Sequence, residues 1–165
     1  MPWPDQPAAC FVTDNTRRPT ARLRTCPKAL TAYTAPMKIQ LLSDLHLEAH
    51  PHFVPEPAPG ADVLVLAGDI GSYQEGGQLG DEDFGLARFS PLPQWGAWPT
   101  PVLFVPGNHE YDAQDFDEAH QRLRRTCDKL GIAWLERETL VLDQVRFVGT
   151  TLWSDFDALA DHEQT

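Results

Sequence analysis

Val63-Leu64-Val65-Leu66-Ala67-Gly68-Asp69 joins five apolar residues directly to a glycine and an acid. A run this short and this rich in branched side chains reads as a strand buried on both faces. The pattern occurs twice more. Ile39-Gln40-Leu41-Leu42 is followed by Asp44-Leu45-His46, and Val102-Leu103-Phe104-Val105 by Gly107-Asn108-His109-Glu110. Each of the three strands would be expected to be buried on both faces and to release its polar residues at its carboxyl end. Those residues would emerge together at one edge of a sheet, where open α/β folds keep their ligands. Oxygen and imidazole donors of mixed type at such an edge point to a metal site.

Working outward, the pattern predicts strands at 38–43, 63–67 and 102–105. A loop with four prolines (Glu48 to Gly60) and a Gly-rich acidic loop (Gly71 to Asp83) fill the gaps. A helix is expected around 84–97, ending before Pro99. A second is expected over about 113–130, where Phe116, Ala119, Leu123, Cys127 and Leu130 recur at helical spacing and Gly131 supplies the stop. Short strands follow near 133–135, 138–142 and 145–150, the last two joined at Asp143-Gln144 as a hairpin. Alternation of strands and helices argues for a layered α/β sheet.

Acidic residues outnumber basic ones 24 to 13, for a net charge of −11. The balance is uneven. Residues 1–36 carry five basic residues against two acids, a charge of +3, and residues 37–165 carry eight against 22, a charge of −14. Such a surface repels polyanions unless bound cations offset it locally, so nucleic acid is a poor default partner. Cys10, Cys26 and Cys127 are odd in number and contain no C-x-x-C pair, which indicates neither a disulfide framework nor a thiolate zinc site. A reduced, cytoplasmic setting is expected. No apolar run approaches membrane-spanning length, and the N-terminus lacks the apolar stretch of a secretory signal. Residues 1–36 hold six of the 15 prolines without helical or strand period and read as a disordered lead. Met37 opens directly onto the first strand and reads as the functional start.

Along an extended chain, residues i and i+2 face the same side, so Asp44 and His46 are expected to converge on one point. Asp69 would meet them from the neighbouring strand end and could bridge to a second ion, to which Asn108 would offer its amide oxygen. Carboxylate, imidazole and amide oxygen together suit first-row divalent ions such as Mn²⁺, Fe²⁺ or Zn²⁺. Two such ions about 3.5–4 Å apart activate water and clamp the oxygens of a phosphoryl group. His109 would face the substrate, either to protonate the leaving oxygen or to steady the transition state as imidazolium.

Asp44-x-His46, Gly68-Asp69 and Gly107-Asn108-His109-Glu110, in this order and each after a strand, resemble the calcineurin-like metallophosphoesterase superfamily. Asp44, Asp69 and Asn108 stand 25 and 39 residues apart, and the resemblance covers about residues 37–156. It implies a layered mixed sheet flanked by helices. It also implies a dinuclear site in which Asp44 and His46 hold one metal, Asp69 bridges and Asn108 holds the other, with His109 assisting phosphoryl transfer. Gly149 to Phe156 resembles the segment after the hairpin in small bacterial members.

Two departures from the family pattern bear on function. Its protein phosphatases continue the second motif with Asp-Arg-Gly, whereas this chain reads Ile70-Gly71-Ser72-Tyr73. That argues against a phosphoprotein phosphatase; the substrate expected is a small-molecule phosphoester. Members also carry downstream histidines, including a Gly-His-x-His motif, which this sequence lacks; His162 does not match it. The reading is therefore of the N-terminal portion (37–165) of such a domain, with the C-terminal part of the fold missing. Weak metal binding, little turnover and self-association through exposed apolar edges are expected of this polypeptide alone. The rival functions are a non-catalytic metal- or partner-binding relic and a nuclease.

Other candidates receive structural readings. Glu110 is expected to cap the turn that follows it. His50 and His52 are expected to be exposed in their Pro-rich loop, and His120 to be a packed or boundary residue of the second helix. Trp95 and Trp98 are expected to be buried. Tyr73 and Tyr111, just after the motifs, are assigned equally to site and core.

Overall fold

The computed structural model describes residues 36–80 and 82–154. Most of the expected lead, Cys10, Cys26, His162 and the end of the Gly149–Phe156 segment lie outside these residues. Strands β1 (Ile39–Leu42), β2 (Val63–Ala67), β3 (Val102–Val105) and β4 (Ala133–Trp134) form one sheet in the order β1-β2-β3-β4. All three pairings are parallel, with Leu42 beside Leu66 and Ala67 beside Val105. Parallel strands in this register end together, so the segments after β1, β2 and β3 leave the sheet at one edge. A separate antiparallel hairpin, β5 (Glu138–Leu142) and β6 (Val145–Gly149), turns at Asp143 and Gln144. Both turn residues have positive φ, 46° and 68°, as a two-residue hairpin that matches strand twist requires.

Helix α1 (Phe116–Leu130) begins where Asp115 caps it, the Asp115 carboxylate accepting the Glu118 N–H at 3.0 Å. Ala113, expected inside this helix, sits at φ 58° and holds the start back. Gly131 ends it at φ 68°. Ala119, Leu123, Cys127 and Leu130 line its buried stripe and join Leu64, Leu66, Phe104 and Trp134 in the main core. A second cluster forms around Val63, Leu103 and Leu135, against which Leu140, Leu142 and Phe147 of the hairpin pack. The α/β layering expected from the sequence is present, with both parallel and antiparallel pairing.

Two local expectations are corrected. The helix at 84–97 does not form; only a 3-10 turn at Leu86–Phe89 does. Phe84, Gly85 and Ala97 have left-handed backbone, and Pro91 and Pro93 remove the N–H groups a helix would need. The stretch still buries Phe84, Leu86, Phe89 and Trp98, while Trp95 remains exposed. Strand β1 is not buried on both faces, because it lies at the sheet edge with Ile39 50% and Leu41 62% exposed. Among the described residues no helix is long and apolar enough to cross a membrane.

Candidate metal centre

Past its end, β1 continues to run beside the segment after β2. The N–H groups of Asp44, His46 and Leu47 donate to the carbonyls of Gly68, Asp69 and Ile70 at 3.1, 3.0 and 2.9 Å. This ladder brings His46 beside Asp69. The chain is not extended here as the i, i+2 argument requires, because Asp44 (φ 54°) and His46 (φ 46°) are both left-handed, as is Asp69 (φ 54°). Non-glycine residues in this region cost about 1–3 kcal/mol each and concentrate at functional sites. Three of the four expected ligands adopt it.

The segment after β3 meets that after β2 at close range. A Cβ on Gly68 would stand 2.9 Å from Gly107 backbone atoms, and one on Gly107 would collide with Asp69 Oδ1. Only glycine at both positions permits the approach. Asp69 Oδ1 accepts the His109 N–H at 3.0 Å, which joins the second motif to the third. As a result, ligand atoms of His46, Asp69 and His109 all lie within 4.8 Å of one another. The two imidazole rings meet edge to face, with centroids 4.8 Å apart. Asp44 and Asn108 are exposed on the adjoining segments, and the cluster does not include Asp44. A cavity of about 410 Å³ opens beside Asn108 between Ala67, Gly107 and the Thr150–Leu152 segment.

Two buried carboxylates hold this arrangement, and neither was assigned this task from the sequence. Glu110, fully buried, accepts backbone N–H groups from Asp69 (3.1 Å), Ile70 (2.6 Å), Gly71 (3.4 Å) and Gly107 (2.7 Å). It ties together the segments that follow β2 and β3 rather than capping a local turn. Burial pushes its carboxyl above the ordinary range, against the pull of its N–H donors. Glu48, 2% exposed, reaches His46 and the Ser72 N–H. The only signal in the sequence was an acid placed immediately after, or two residues after, a motif histidine. A third buried acid, Glu136, accepts from Thr151, whose hydroxyl also donates to the Pro106 carbonyl at 2.6 Å.

The remaining candidates fall outside the cluster. His50 and His52 are exposed as expected. His120 is half-buried, with Nδ1 3.1 Å from the Tyr111 hydroxyl and its ring against Trp134. Tyr73 accepts the Phe84 N–H and packs on that ring, and Tyr111 is buried against Phe116. Both tyrosines therefore serve the core.

The ordered motifs, the parallel sheet that aligns them and the His-Asp-His cluster coincide with one family. A profile of the calcineurin-like phosphoesterases matches residues 37–161. The chain belongs to the calcineurin-like phosphoesterase family. It is also similar to an uncharacterized protein of Acanthamoeba polyphaga mimivirus, 33% identical over 60 residues. That match covers 33% of this chain and 21% of the viral protein. No solved structure matches the chain. As a member of this family, the chain has a fold and a donor cluster that suit divalent metal ions and phosphoester chemistry.

Proposed function

We propose that this phosphoesterase hydrolyses a small phosphoester in a reaction that depends on divalent metal. The observation that carries the reading is the gathering of His46, Asp69 and His109 within 4.8 Å at the carboxyl ends of the strands, with His46 and Asp69 on left-handed backbone. The donors fit such a group, since carboxylate, amide oxygen and imidazole together suit first-row divalent ions. Asp44 and His46 would hold one ion, Asp69 would bridge and Asn108 would hold the second, with Mn²⁺, Fe²⁺ or Zn²⁺ as the candidates. When bound, such ions neutralise phosphoryl oxygens and lower the pKa of water. The −14 balance of residues 37–165 disfavours an anionic substrate unless bound cations offset it locally.

The chain's own groups supply the rest. Asp112 Oδ2 lies 2.7 Å from His109 Nδ1, but away from the N–H direction, so the contact is electrostatic. His109 Nε2 would deliver a proton to the leaving oxygen. In this reading residues 37–165 are the phosphoesterase portion, residues 1–36 a lead, and the setting cytoplasmic.

Turnover should be tested on p-nitrophenyl phosphate and on its bis-ester, with Mn²⁺ and with EDTA. The expected result is slow hydrolysis that requires metal and stops on chelation. Hydrolysis indifferent to EDTA contradicts the metal reading. Tight metal binding without turnover on either ester favours the non-catalytic relic, and retention on DNA that falls with added salt favours the nuclease.

A further inference from the structure

Glu48 lies outside the ligand set, yet its carboxylate faces His46 Nδ1. Oε1 stands 3.1 Å from His46 Nδ1, and Oε2 accepts the Ser72 N–H at 3.1 Å. Gln74 Nε2 donates to Oε1 at 3.4 Å, and the Glu48 carbonyl accepts the Gln78 N–H at 2.8 Å. The side chain is thus held by Ser72 and Gln74 and shielded from solvent, while the ring beside it is 31% exposed.

A neutral imidazole has one ring proton to place on two nitrogens, and a carboxylate can only accept. With Glu48 Oε1 3.1 Å from Nδ1, the acceptor sits at that nitrogen, which places the ring proton there and leaves a lone pair on Nε2. Metal-binding histidines are commonly oriented in this way by a partner on their other nitrogen.

We propose that Glu48 is a positioning residue that locks His46 in the Nδ1–H form, so that Nε2 is the nitrogen offered to the Asp69–His109 cluster. The consequence for affinity rests on the metal reading given above; the consequence for the ring does not. His109 provides an internal contrast. Its carboxylate neighbour Asp112 is 37% exposed and off the N–H direction, so no comparable lock operates there.

A purely structural role for Glu48, holding the Ser72 backbone, would leave the ring proton unaffected. Glu48→Gln separates the two roles. Glutamine keeps the volume and one acceptor oxygen for Ser72, and turns an NH₂ donor toward Nδ1, which drives the ring proton to Nε2. The readout is the pair of ring ¹⁵N shifts of His46 in metal-free protein at mildly alkaline pH, beside a Mn²⁺ titration by calorimetry. The wild type is expected to show protonated Nδ1 and bare Nε2. The variant is expected to reverse this and to bind Mn²⁺ about 10–100-fold more weakly.

A wild-type ring protonated at Nε2 overturns the proposal, and this decides the question even if the variant does not fold. A variant that keeps both the Nδ1 proton and full Mn²⁺ affinity also overturns it, while the metal reading survives. If the wild type shows the expected ring form and the variant reverses it, yet neither binds Mn²⁺, the positioning role stands and the metal reading fails.

Discussion

Glu110→Ala is expected to destabilise the protein by about 3–5 kcal/mol, because it strips the acceptor from a set of backbone N–H groups. Those of Asp69, Ile70 and Gly107 lie within 3.1 Å of the carboxylate, which is fully buried. Each buried donor left without a partner costs about 1–3 kcal/mol, and water entering the gap recovers part of the loss. Glu110→Gln keeps one acceptor oxygen but turns an NH₂ group toward the other donors. It is expected to fall between the wild type and alanine. Urea unfolding measures the effect as a lower midpoint at unchanged slope. An alanine variant within about 0.5 kcal/mol of the wild type, the range of ordinary surface substitutions, would show that the carboxylate is not what joins the two segments.

Asp69→Asn carries the second large effect, on binding rather than on folding. Asparagine retains an oxygen where Asp69 Oδ1 accepts the His109 N–H, so the loop contact is preserved while the charge is lost. Supporting residues around metal ligands alone contribute about 10–100-fold to affinity, and a bridging carboxylate should exceed this. Mn²⁺ affinity is expected to fall by at least about 100-fold with little change in the unfolding midpoint. Calorimetric titration of both proteins provides the comparison. Equal affinities would move the metal away from Asp69.

These two acids also show what the sequence could reveal. Strands β2 and β3 were legible because apolar runs such as Val63–Ala67 have few other uses, and α1 because its stripe from Ala119 to Leu130 recurs at helical period. The motif residues were legible because each follows such a strand, and parallel register brings the three strand ends together. The task of Glu110 was not legible. Its partners stand up to 41 residues away and are backbone N–H groups, which leave no side-chain pattern. The left-handed turns at Asp44 and His46 were hidden for a related reason. They follow from the backbone ladder to Gly68, Asp69 and Ile70, not from local preference. The absence of a helix at 84–97 follows from Pro91 and Pro93, whose effect outweighs the apolar spacing of the stretch. The exposed faces of Ile39 and Leu41 depend on strand order, which the composition of β1 does not encode.

Substoichiometric Mn²⁺ added to the full chain, followed through the histidine ring signals in NMR spectra, tests the central claim most directly. Paramagnetic broadening should remove His46 and His109 first, ahead of the nearby His50 and of His52 and His120, and reverse with EDTA. Loss of the His50 and His52 signals first, or uniform weakening of all rings, would contradict a metal centre at the edge of the sheet.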